Sequence, residues 1–135
     1  MIVARGKVPA VHLRLAGPAR RDMEDLLAWS EQMFGPMARR RYEALLAGAL
    51  QDIAENPARP GIQARPELGA NIYSYHLSCS RRGAAARSGD MTRVRRPRHV
   101  LMLRMAEKGF VDILRVLHDA TELSRHLPDS DPNTQ

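Results

Sequence analysis

A chain of 135 residues is long enough for one domain with a hydrophobic core and short for two. Its single cysteine, Cys79, excludes an internal disulfide and a cysteine-based zinc site. A net charge of +6, from 21 basic residues of which only Lys7 and Lys108 are lysines, indicates a surface suited to nucleic acid or an acidic protein. With no signal-peptide core and no run of membrane-spanning length, we expect a soluble, cytoplasmic protein.

The first half of the sequence predicts one strand followed by two helices. Residues 11–15, "VHLRL", alternate apolar and polar side chains as a strand does, and Gly17-Pro18 breaks the pattern. Residues 19–34 and 37–55 repeat apolar residues at helical spacing, and Gly35-Pro36 joins them. The face predicted to be buried in the first helix consists of Met23, Leu26, Leu27, Ser30 and Met33. Two helices joined so closely predict an antiparallel hairpin that packs on a sheet.

The second half predicts strands separated by irregular segments. Residues 57–71 are turn-rich, residues 72–77 form a strand, and residues 78–97 are an arginine-rich loop insertion without periodicity. Residues 99–105 and 110–118 form a strand hairpin. Residues 120–127 predict a short helix, and residues 128–135 a disordered tail. We therefore predict a single α+β domain, residues 1–127, with a helical hairpin on one face of a small antiparallel sheet in the order β-α-α-β-β-β.

The last predicted strand is apolar on both of its faces. Strict alternation puts Val111, Ile113 and Leu117 on one face. The other face receives Phe110, Leu114 and Val116. An apolar sheet face without a helix over it indicates a docking surface, unless the terminal helix or the long loop covers it.

Arginines dominate the segment from Arg81 to Arg104, which has Asp90 as its one acidic residue. The segment fits either a solvated loop or an electrostatic surface for nucleic acid or an acidic partner. Arg104 and Arg115 interrupt apolar strands, so each charge must reach water, a partner molecule or a carboxylate such as Asp112 or Glu107.

The sequence contains no strong catalytic or metal-binding motif. It has no phosphate-binding glycine loop, no nucleophile elbow and no spaced metal cluster. His76, His99 and His118 lie on or beside strands of one predicted sheet. Three such histidines are able to bind a metal, but no acidic or cysteine residue is placed to complete the site, so we expect neither a metal nor a cofactor.

Five segments taken in series resemble the ParE branch of the RelE/ParE toxins of bacterial type II toxin–antitoxin systems. They are "ARRDMEDLLAWSEQMFG", "ARRRYEALLAGALQDIAENPARPG", "RPELGANIYSYHL", "RHVLMLRM" and "VDILRVLHDATEL", across residues 11–127. The last is the most diagnostic, because family members tend to end in a strand of the form I-x-R-V-L-H. His99 and Arg104 hold the places of the histidine and arginine of the family's penultimate strand. Residues 78–97 depart from the family pattern, which joins these strands in a few residues.

The resemblance implies a compact toxin that is neutralised by a cognate antitoxin wrapped around its helices and sheet, in a hetero-oligomer. ParE-like toxins act on DNA gyrase, whereas RelE-like relatives cut mRNA in the ribosome. Cleavage of RNA needs a group that accepts the 2′-OH proton and another that stabilises the phosphate charge. RelE-type enzymes use a Lys/Arg cluster and a late aromatic residue, but here Lys7 and Lys108 lie outside the strand faces and no Tyr follows Tyr75.

The resemblance therefore favours a gyrase-binding toxin with no catalytic residue and no small-molecule substrate. The residues that we expect at the target or partner surface are Arg95, Arg96, Arg98, His99, Arg104 and Arg115. Two alternatives stay open. One is a ribosome-dependent mRNA endonuclease that uses His118, Arg104 and Arg115, and the other is a decayed, non-toxic relative.

Overall fold

A computed structural model describes residues 11–81 and 97–118 of the chain. Its elements are β1 (His12–Leu15), α1 (Gly17–Phe34), α2 (Pro36–Glu55), β2 (Ile62–Ala64), β3 (Ile72–His76), a short 3-10 helix (Leu77–Ser80), β4 (His99–Met105) and β5 (Phe110–His118). The two predicted helices and the four predicted strands are confirmed within a residue or two at each end. The predicted terminal helix and tail, residues 120–135, lie outside the described residues.

Strand β2 is an element that the sequence analysis missed. It pairs antiparallel with β3, and Ile62 lies opposite Tyr75. It extends the sheet to five strands in the order β1-β5-β4-β3-β2, in which only β1 and β5 are parallel. The interpretation of residues 57–71 as turns throughout is therefore wrong at this strand. The strand has only three residues, in a segment bounded by Pro60-Gly61 and Pro66, and three residues are too few to show an alternating pattern.

The helical hairpin lies on one face of the sheet, which confirms the predicted α+β architecture. Gly35, with a φ of +96°, ends α1 and precedes α2, and its N–H donates to the Glu31 carbonyl at 2.8 Å. The main core lies between the helices and the strands, and it contains Ala19, Leu26, Tyr42, Leu45, Leu46, Ala49, Ile53, Tyr75, Leu77, Leu101, Leu103, Val111, Ile113 and Val116. Met33 belongs to the predicted buried face but is 57% exposed. The last turn of α1 thus presents apolar surface to solvent.

A β-bulge in β5 changes which of its residues face the helices. Met102 lies opposite Arg115 and Leu103 lies opposite Ile113, so Leu114 is an extra residue on β5. One extra residue shifts the alternation, and Val116 joins Val111 and Ile113 in the main core. Leu117 lies in a different cluster. The predicted faces are therefore wrong beyond the bulge, where Val116 and Leu117 exchange sides.

The second hydrophobic cluster lies on the sheet face that points away from the helices. It joins Leu68, Val100 and Leu117, with Ile72 and Met102 packed against them. Val100 and Leu117 are buried, so this part of the face is not the exposed docking surface that the sequence predicts. Leu68, in the connection between β2 and β3, packs on it.

A buried polar network fixes the short helix after β3 to α2. Ser80 Oγ donates to Asp52 Oδ2 at 2.6 Å, and the Tyr75 hydroxyl lies 2.7 Å from Ser80 Oγ. Arg59 Nη1 lies 3.2 Å from the same Asp52 oxygen and balances its charge. The first residues of the predicted insertion, residues 78–97, therefore belong to a short helix that packs on α2. Residues 82–96 lie outside the described residues.

Gly61 is the glycine that this packing requires most strictly. Its φ is +102°, and a Cβ at this position would lie 2.8 Å from Cys79 Sγ. We expect Gly61→Ala to lower the free energy of unfolding by about 1–3 kcal/mol, from backbone strain and overlap together. Urea denaturation measures the change.

Gly109→Ala is the matched control, because Gly109 has a φ of +86° with no atom within 4 Å of an added Cβ. This variant should lose only the stability that backbone strain removes, roughly 1 kcal/mol of the free energy of unfolding. Combining Gly61→Ala with Cys79→Ala should recover the stability that is lost through the overlap with Cys79 Sγ. Equal losses for the two glycine variants would contradict the role of the Cys79 contact.

Candidate recognition surface and histidine cluster

The site residues that the sequence singles out are distributed between two ends of the sheet. His99 and His118 lie opposite each other where β4 begins and β5 ends. Arg104 lies opposite Asp112, five residues further along β4. Five strand residues span about 17 Å, so Arg104 is remote from the two histidines. Arg95 and Arg96 lie outside the described residues.

His99 and His118 form one cluster with Tyr42 of α2. The two imidazole rings are 5.2 Å apart and nearly perpendicular, and the Tyr42 hydroxyl lies 2.9 Å from His99 Nδ1. The Arg98 backbone N–H donates to the same hydroxyl at 3.3 Å, so the hydroxyl hydrogen is free to be donated to Nδ1. Burial of the ring raises the pKa of Tyr42 to about 12, although the Arg98 N–H opposes the shift.

Arg104 belongs to a charge cluster on the sheet face away from the helices. Its Nη2 donates to Asp112 Oδ2 at 3.0 Å, and Arg14 Nε donates to Asp112 Oδ1 at 2.6 Å. Arg14 also stacks on Phe110, with Cζ 4.4 Å from the ring centroid, and reaches Glu107 at 3.4 Å. The hydrogen bond from Arg14, and then that from Arg104, lower the pKa of Asp112. The side chains of Arg14 and Arg104 are about half exposed, at 43% and 50%.

Arg115 makes a bidentate ion pair with Asp22 of α1, a partner that the sequence analysis did not consider. Its Nε and Nη2 lie 2.7 and 3.0 Å from the two carboxylate oxygens. The Val116 N–H donates to the same carboxylate at 2.9 Å. Because β1 pairs with β5 only as far as Ile113, Asp22 takes the place of a neighbouring strand at this edge. Arg115 therefore joins α1 to the sheet.

Of the three histidines that were considered for a metal site, His99 and His118 border one cleft with Asp22 and Asp25, whereas His76 does not line it. His76 turns back on its own chain and accepts from the Ser78 N–H at 3.1 Å. Across residues 11–81 and 97–118, no group of three His, Cys, Asp or Glu side chains is arranged to hold a metal ion. The same part of the chain contains no helix both long and apolar enough to span a membrane.

Comparison with known proteins assigns the family. The model of the ParE toxin of the type II toxin–antitoxin system, parDE, matches residues 13–123. The chain thus belongs to the ParE toxin family, as the sequence motifs indicate. None of the curated proteins matches the sequence.

Solved structures with the same fold come from toxin–antitoxin systems. One, described as a chromosomal ParDE system from P. aeruginosa, aligns with a TM-score of 0.57 and 11% identity, over 82% of this chain and 97% of that chain. Another, the toxin–antitoxin complex RelBE2 from Mycobacterium tuberculosis, aligns with a TM-score of 0.50 and 26% identity, over 84% of this chain and 97% of that chain. The fold is therefore shared with the RelE-like branch as well.

Tyr42 should control stability at alkaline pH. The folded state holds the Tyr42 proton to a pH of about 12, whereas an unfolded tyrosine releases it near pH 10. Stability should therefore fall as the pH rises from 10 towards 12, because the unfolded chain binds fewer protons there. Tyr42→Phe should have a shallower decline. At pH 7 it should be less stable by about 1 kcal/mol, the contribution of its hydrogen bonds.

Urea denaturation across the pH range measures both effects. Burial also raises the pKa of Tyr75, so part of the alkaline decline should remain in the Tyr42→Phe variant. Identical pH profiles of wild type and variant would contradict the assignment to Tyr42.

Asp112 should contribute to stability only while it is ionised. Since its pKa is lowered in the folded state, its contribution should be complete above pH 4 and lost as the pH falls through the folded pKa. Asp112→Asn should cost about 1.5–3 kcal/mol at neutral pH, the range for hydrogen bonds to charged groups. The difference from wild type should shrink in acid. Glu107→Gln, at the exposed end of the same cluster, is the control and should change stability by less than ~0.5 kcal/mol.

Proposed function

We propose that this protein is a toxin that binds DNA gyrase and arrests replication without catalysing a reaction itself. The observation that carries the proposal is the separation of the residues that a ribonuclease would need. Arg104 is bound to Asp112 at one end of the sheet, Arg115 is bound to Asp22, and His118 lies at the other end beside His99. Membership of the ParE family supports the same function.

The surface proposed for the target lies where β4 begins. Arg98 is exposed, and its backbone is held by the Tyr42 hydroxyl, so its guanidinium projects from a fixed point. His99 is next to it, and Arg95 and Arg96 precede it in the sequence. A fixed cationic group suits the negative surface of an enzyme bound to DNA.

A cognate antitoxin is the second proposed partner. Two solved structures that share the fold are described as a ParDE toxin–antitoxin system and as the toxin–antitoxin complex RelBE2. On this chain, the half-exposed Arg14 and Arg104 lie on the same sheet face as the partly buried Ile72 and Met102. Such a combination of cationic and apolar groups suits a flexible acidic segment that folds on binding.

A gyrase supercoiling assay with the purified protein tests the proposal. The wild type should block supercoiling and accumulate cleaved DNA, and Arg98→Glu should need about tenfold more protein for the same effect, a loss of ~1.4 kcal/mol. Arg40→Glu is the matched control, since Arg40 is exposed on α2 and its side chain hydrogen-bonds only to Met37 Sδ among the described residues. It should retain the wild-type activity.

An mRNA endonuclease is the second candidate, favoured by the cluster of His99, His118 and Tyr42 and by the RelBE2 likeness. If this function is the correct one, gyrase stays active while ribosome-bound mRNA is cut, and His118→Ala abolishes the cut. Expression without an antitoxin separates both functions from the decayed relative, which would leave growth unchanged.

A further inference from the structure

An open cleft of about 290 Å³ lies between α1 and the ends of β4 and β5. Leu26 and Val116 are its buried apolar residues, and Trp29 and His118 are exposed at its border. The cleft is separate from the charge cluster of Arg14, Arg104 and Asp112, and its lining includes His99, next to Arg98 of the proposed target surface. It also borders the end of α1, where apolar residues are exposed.

Three large apolar side chains near the end of α1 are largely in solvent. Trp29, Met33 and Phe34 are 51%, 57% and 68% exposed. The Trp29 and Phe34 rings meet edge to face, with their centroids 5.6 Å apart. Isolated exposed apolar residues are ordinary on a protein surface, but neighbouring large ones beside a cleft indicate a docking site. Aromatic residues and methionine are enriched at such sites.

Asp25 gives the cleft a negative charge within a basic protein. The other aspartate of the cleft, Asp22, is neutralised by Arg115. Asp25 is exposed and forms no ion pair with any of the residues that the structure describes. A free carboxylate one helical turn from an exposed indole ring is a combination that binds a guanidinium group, by charge and by cation–π contact.

We propose that this cleft docks a segment of a partner protein that presents an arginine next to large apolar side chains. The guanidinium group contacts the Asp25 carboxylate and the Trp29 ring, while the apolar neighbours pack on Met33 and Phe34. This site goes beyond the proposed function, because its charge preference is opposite to that of the surfaces for an acidic antitoxin or for DNA. Asp25 would repel a phosphate or a carboxylate.

Titration of the isotope-labelled protein with two short helical peptides, followed by NMR, tests the site. One peptide carries an arginine between two leucines, and the other has glutamate in place of the arginine. The arginine peptide should shift the Trp29 indole N–H signal in a saturable way. The glutamate peptide should bind about tenfold more weakly, in line with the loss of one charge-assisted contact worth ~1.4 kcal/mol.

Variants then separate the charge from the apolar contact. Asp25→Asn should weaken binding of the arginine peptide about tenfold, and Met33→Ser should weaken both peptides equally. Glu24→Gln is the matched control, because Glu24 is the neighbouring exposed acid. Consecutive residues of an α-helix point in different directions, and Glu24 does not line the cleft. It should bind the arginine peptide as the wild type does.

Three results would overturn the proposal. They are an unchanged Trp29 signal, equal binding of the two peptides, or equal affinities of wild type and Asp25→Asn. Self-association of the wild type that Met33→Ser abolishes would assign the surface to a second copy of this chain instead. None of these measurements involves gyrase or an antitoxin, so the result is independent of the proposed function.

Discussion

The bulge at Leu114 is the constraint on which the rest of the structure depends. A regular β5 would place Val116 away from the helices and Leu117 against them. With one extra residue, a single strand supplies Val111, Ile113 and Val116 to the main core and Leu117 to the second cluster. The same irregularity coincides with the end of the β1 pairing, where the Val116 N–H and Arg115 meet Asp22. The packing of α1 and the shape of the adjacent cleft both follow from it.

The electrostatics of the sheet differ from what the net charge implies. A charge of +6 indicates a uniformly basic protein, but Asp112, Asp22 and Asp52 each bind at least one arginine. An arginine that is already held by a buried carboxylate orders the fold and contributes less to long-range attraction. Arg98, which forms no ion pair with a described residue, is therefore the cation that we propose for the target surface. In the cleft, Asp25 likewise forms no ion pair with a described residue, and we propose it as the group that binds an arginine of a partner.

Periodicity was sufficient to predict the helices and the long strands, because each has enough residues to show its repeat. It failed at β2, because three residues are too few to show a repeat. It also failed beyond Leu114, because a bulge does not change the sequence pattern of a strand that is apolar on both faces. The sequence also predicted that Arg104 needs a carboxylate, and Asp112 was among the candidates. Asp22 was not foreseen, because its contact with Arg115 joins residues 93 positions apart and needs the tertiary packing of α1.

The network of Asp52 and Ser80 has a consequence for the segment between Ser80 and Arg98. Ser80 is bonded to Asp52, and the Arg98 N–H is bonded to Tyr42, so both ends of the intervening chain are attached to α2. The two anchor points are ten helical residues, or about 15 Å, apart on one rigid rod. The α2 helix therefore fixes the distance that the segment between Ser80 and Arg98 has to span.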